Sequence, residues 1–235
     1  MEAGASPAAS STRKTIAPVW HTLVLLTVFA ALAVLGALAQ PSAPVHARPA
    51  SMQPRLIPLQ LEAIVFEWAT LAWVWFGVHL RGVRVSELIG GRWLNPKSIL
   101  VDVSLGLTLW AIWVGITKAV ALFFGHSPDS IPFPANLVES VLAICVAVSA
   151  GVCEEIVFRG YLQRQFYGIT GSLVVSVVLQ AIVFGVPHVY QGLRVGIMSG
   201  LYGVAFGVLA FWRRSLRPGI IAHVWSDIAA RLLRV

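Results

Sequence analysis

Hydrophobic and polar positions along this chain fall into long separate blocks. Apolar runs occupy about 19–39, 56–80, 99–125, 135–166, 172–191, 194–212 and 216–233. A run of about 20 apolar residues is what an α-helix needs to cross the hydrocarbon core of a bilayer. Lipid offers no partner to an exposed backbone N–H or C=O, so runs of this kind fold as helices. The pattern predicts an all-α, polytopic membrane helix bundle of about seven transmembrane helices. The first run ends in Ala37-Leu38-Ala39, which resembles a signal-peptidase site, yet the run is longer than the roughly 7–15 residues of a secretory apolar region. The reading is a retained helix; the count is six if that segment is cleaved.

The interruptions carry their own information. Residues 1–18, rich in Ala and Ser and holding Arg13 and Lys14, are expected to be a disordered cytoplasmic terminus. Four prolines in 41–55 mark a loop. Arg81, Arg84, Arg92 and Lys97 fill the gap after the second run, and Arg213, Arg214 and Arg217 fill the last gap. The gap at 126–134 has no Lys or Arg. By the positive-inside rule the first two of these loops face the cytoplasm, the third faces out, and the N-terminus is inside. The expected location is the cell membrane, with multiple passes.

Composition agrees with the pattern: 57% of residues are hydrophobic, 11% are charged, and mean hydropathy is +0.80. The net charge of +7 could suggest nucleic acid, but the cations sit in short loops between apolar runs. They are read as topology signals and contacts to anionic headgroups, with no nucleic acid as partner. Cys145 and Cys153 are eight residues apart on one run. That is about 12 Å along a helix, too far for a disulfide. Gly196, Gly200, Gly203 and Gly207 share a helix face and predict a close helix–helix seam.

An ionisable group within lipid costs several kcal/mol, so each one is a functional hypothesis. Glu155 and Arg159 are four residues apart and can pair. Glu154 then points about 100° away, free to act as a general base. His188 follows Phe184 by four residues, and His223 precedes Asp227 by four. A turn at 168–171 folds the run bearing Glu154 against the run bearing His188, so the two stand at similar depth. Glu67 sits near mid-span of the second run and could reach such a site; Glu62, Lys118, Glu139 and Asp102 are read as surface or boundary charges.

Glu154-Glu155-Ile156-Val157-Phe158-Arg159, Phe184…His188 and His223…Asp227, in that order, resemble the three motifs of the CPBP family. This family comprises the type II CAAX prenyl endopeptidases and the bacteriocin-processing or immunity proteins, also called Abi. The likeness spans roughly 135–231, with a looser match at Val85–Gly90. It divides the chain into 19–134, N-terminal transmembrane helices, and 135–235, CPBP-like catalytic helices. Asp227 departs from the CAAX-type members, which usually carry Asn there. The resemblance implies an intramembrane endopeptidase acting on a membrane-associated or lipidated protein or peptide, with its site opening to the cytoplasm. Glu154 and His188 would activate water, His223 and Asp227 would stabilise the oxyanion, and Glu155, Arg159 and Phe184 would be structural. His188, His223 and Glu154 could also hold zinc, with water in the open position. The cofactor stays open, because every catalytic role can be filled without one. The rival functions are a noncatalytic scaffold or immunity protein of the same fold, and a transporter using the buried charges as an ion path. Oligomeric state is left undetermined.

Overall fold

The computed structural model describes residues 14–38, 55–125 and 133–233. The sequence expectations for 1–13, for the proline-rich 39–54 and for 126–132 lie outside the described residues, apart from Lys14 and a few flanking positions. The described chain is helical throughout, with one isolated bridge between Gly90 and Ser215. In chain order the helices are α1 (Val19–Leu38), α2 (Leu56–His79), the short α3 (Val85–Ile89), α4 (Pro96–Phe124) and α5 (Leu137–Glu154). A π-helical stretch, Glu155–Leu162, joins α5 to α6 (Gln163–Thr170). Then follow α7 (Leu173–Gly185), a 3-10 segment (Val186–Gln191), α8 (Leu193–Arg213), α9 (Arg217–Ile228) and a π turn (Ala229–Leu233).

Six of these helical runs are long and apolar enough to cross a membrane. The seventh predicted run forms α9 and its π turn, which is shorter than the others. The boundaries follow local chemistry. Asn95 and Asn136 accept hydrogen bonds from the Ser98 and Glu139 amides at the starts of α4 and α5, as helix caps do. Ser172 does the same for α7. The turn expected at 168–171 is confined to its last residue: Gly168 remains helical, and Gly171 takes the left-handed conformation that ends α6.

The bundle is built around one helix. Of the apolar window in the continuous helix 137–170, 61% is buried, against 11% for α4. The latter turns Leu122 and Phe123 outward with other large apolar side chains, as a lipid-facing helix does. α2 packs beside α5 in the same direction: Gln60 donates to the Glu139 carbonyl, and Trp68 donates to Ser149 Oγ. α1 is tied at its start to the central helix. His21 and Thr22 both hydrogen-bond the Tyr161 hydroxyl, at 2.8 Å each, and Gln165 bonds the backbone of Ile16 and Ala17. The predicted glycine seam is present on α8: added Cβ atoms at Gly196 and Gly203 would press on Val189 and Ala181. At one end of the bundle, Leu216 donates to the Ile89 carbonyl and Arg164 donates to the carbonyls of Glu87 and Leu88. The basic loops after α2 and α8 therefore lie at the same end. Asp102 joins them, accepting from Arg213 and from Trp93 at 2.8 Å each.

Candidate active site

Glu154 is the last residue of α5, and the helix widens into π geometry at the next position. Such insertions are rare and recur at functional sites. All eight residues of the π stretch are buried. Glu155, inside it, accepts from Arg159 Nη1 at 2.9 Å, and both side chains are essentially inaccessible. The other Arg159 nitrogens, Nε and Nη2, have no hydrogen-bond partner among the described residues. The guanidinium lies instead over Phe184 and Phe206, 4.4 and 5.4 Å from the ring centres, where cation–π attraction compensates part of its desolvation.

His188 owes its position to a proline. Pro187 has no N–H to continue α7, and the chain tightens into the 3-10 segment. An α-helix would spend the Phe184 carbonyl on the amide four residues on. Here that carbonyl lies 2.8 Å from His188 Nδ1. A carbonyl can only accept, so Nδ1 carries the proton and, in the neutral ring, Nε2 keeps the lone pair.

α9 supplies the third motif. His223 Nδ1 is 3.1 Å from Glu155 Oε1, and Nε2 is 3.6 Å from Glu154 Oε2. The ring is enclosed edge-on by Phe184, Tyr202 and Phe206, at 6.2, 5.5 and 6.1 Å between centres. The carboxylate that faces His223 Nδ1 is thus Glu155, which the sequence spacing paired with Arg159 alone. Asp227 pairs with Arg231 at 3.5 Å, at the edge of the cluster. Gly219 leaves room here: an added Cβ would stand 3.0 Å from Glu155 Oε2, and the carboxylate would have to give way.

Glu154 and His188 open onto one cavity of about 380 Å³. Its walls are mostly apolar and come from α1 (Phe29, Leu32, Gly36), α2 (Phe66, Glu67, Thr70), the central helix, Phe184 of α7 and the 3-10 segment. His223 and Asp227 do not line it; His223 stands behind Glu154. Two residues that received little weight in the sequence belong to the site. Glu67 shares the cavity and interacts with the Glu154 carboxyl; its mid-span position was the available signal. Tyr202 stacks on Phe206 and reaches Ser226 Oγ at 3.4 Å; nothing in the sequence distinguished it from other core aromatics. Among the described residues no three His, Cys, Asp or Glu side chains converge as zinc would require. His223 turns both nitrogens to carboxylates, so only His188 Nε2 is left as an imidazole donor toward the cavity. The donors as placed do not make a zinc site.

Residues 136–229 match the model of the family described as type II CAAX prenyl endopeptidase Rce1-like. This is the family to which the three motifs point, and the matched segment holds all of them. The likeness supports an intramembrane protease of the CAAX type at family level, in a multi-pass membrane protein. No curated protein and no solved structure matches the chain.

Proposed function

From a chain whose residues 136–229 carry the Rce1-like segment of the type II CAAX prenyl endopeptidases, we propose an intramembrane endopeptidase in which Glu154 activates water. One observation carries the reading: a carboxylate from the central helix and an imidazole from the 3-10 segment face a single apolar cavity inside the bundle. Glu154 takes the proton of the attacking water, and His188 Nε2 holds that water by its lone pair. Water attacks the scissile carbonyl, and the proton held by Glu154 passes to the leaving amine. His223 stands behind Glu154, with Nδ1 toward Glu155 and Nε2 toward Glu154 Oε2, and in this reading it orients the base from the α9 side. Glu155, Arg159 and Phe184 hold the others in place. The apolar walls fit a substrate segment that is hydrophobic or lipidated, delivered from the membrane and cut on the cytoplasmic side.

The test compares the membrane proteomes of cells carrying the native protein and a Glu154→Gln form. At least one peptide bond is expected to stay intact in the variant, while the purified variant keeps the native melting temperature. Identical cleavage patterns in the two strains would remove the basis for this reading.

A further inference from the structure

The family match begins at residue 136, yet a large part of the cavity wall comes from α1 and α2, upstream of it. From that wall projects one acid, Glu67, halfway along α2, with Phe66 and Thr70 beside it on the cavity surface. An isolated carboxylate at mid-membrane depth is costly and is kept where it has work to do. Gln60 and Trp68 of α2, hydrogen-bonded to Glu139 and Ser149 of α5, set the register that brings Glu67 to Glu154. Both carboxyls line this one cavity, within electrostatic reach of each other.

We infer that Glu67 is a positioning residue of the active site, which holds the Glu154 carboxyl by a hydrogen bond across the cavity. Two carboxyl groups can be so joined only while one of them carries a proton, since an ionised carboxylate accepts and cannot donate. Glu67 then fixes one Glu154 oxygen from the α2 side, opposite His223 at 3.6 Å on the α9 side. Held from both sides, Glu154 keeps its remaining lone pairs toward the water and His188. Glu67 acts through Glu154, so its removal lowers turnover and leaves substrate affinity unchanged.

The kinetic part of this inference rests on the proposed hydrolysis, and the hydrogen bond is tested separately. In the infrared spectrum of the detergent-purified native protein, the C=O stretch of a protonated, hydrogen-bonded carboxyl is expected. It should vanish or shift in Glu67→Gln and also in Glu154→Gln. Absence of the band, or a band that either substitution leaves unchanged, overturns the pairing whether or not the protein is a protease. Cleavage of a prenylated CAAX-type peptide is the second arm. Glu67→Ala should lower kcat about tenfold or more with KM unchanged, the loss of one hydrogen bond to a charged group. Glu67→Gln, whose amide still donates to Glu154, should restore kcat to near native. Native kcat in Glu67→Ala, or a Gln form as impaired as the Ala form, overturns the positioning role. A native protein that leaves that peptide uncut counts against the proposed substrate class, while the infrared arm still decides the contact.

Discussion

At Glu155 one carboxylate serves two partners. Its Oε1 accepts from Arg159 at 2.9 Å and faces His223 Nδ1 at 3.1 Å, in a setting with almost no solvent. Removing it strands a guanidinium and frees an imidazole together. Breaking a buried pair from one side typically costs about 3–5 kcal/mol, because the remaining charge has no counterpart. Glu155→Ala is therefore expected to lower the melting temperature in detergent and also to abolish cleavage, since His223 loses the group that orients it. Glu154→Gln should lose cleavage alone. Thermal unfolding of both purified variants beside the native protein checks this; equal destabilisation in the two would contradict the division of roles between adjacent acids. The sequence placed Glu155 with Arg159 by spacing, but the link to His223 joins residues 68 positions apart, and no local spacing predicts it.

At the level of elements, the motifs sit where helices depart from α geometry. The first runs into a π stretch, the second runs from the end of α7 into a 3-10 segment, and the third is followed by a π turn. Pro187 is a legible cause of the second; the π stretch has no comparable signal in the residues. The elements also have to approach closely. A Cβ on Gly151 of α5 would come 2.5 Å from Val224 Cγ2 and 2.8 Å from the Val224 backbone nitrogen on α9. Backbone cannot rotate away, so the whole of α9 would have to move, carrying His223 with it. Gly151→Ala should cost about 1–3 kcal/mol, the usual range for overpacking, and should reduce kcat without touching any site residue. A variant with native stability and native turnover would show that this contact does not position α9.

Across the whole molecule, the arrangement is one buried helix wrapped by lipid-facing ones, with two basic loops joined at one end. Gly90 bridges Ser215, so the cations after α2 and after α8 form one positive face, which the positive-inside rule assigns to the cytoplasm. Single cysteines at the exposed Arg81 and the half-buried Ser98 should be protected from an impermeant thiol reagent in intact cells. One at Ala135, at the opposite end, should be labelled, against the background given by Cys145 and Cys153. Labelling at Arg81 or Ser98 in intact cells would invert the orientation, and with it the side on which products leave.

Hydropathy alone determined the helical class and the lengths of most spans, because lipid leaves the backbone no other satisfied state. Three short motifs were enough to point to the family, since each contains polar residues that membrane helices otherwise avoid. Tertiary structure decided what spacing cannot encode. It paired Glu155 with His223, placed Asp227 beside Arg231, brought Glu67 of α2 into the cavity of Glu154, and took six of the fourteen cavity-lining residues from α1 and α2. Helical periodicity tells which residues share a face of one helix. Which face meets which neighbour depends on the packing of small residues and on register between helices distant in sequence, and those are properties of the assembled bundle.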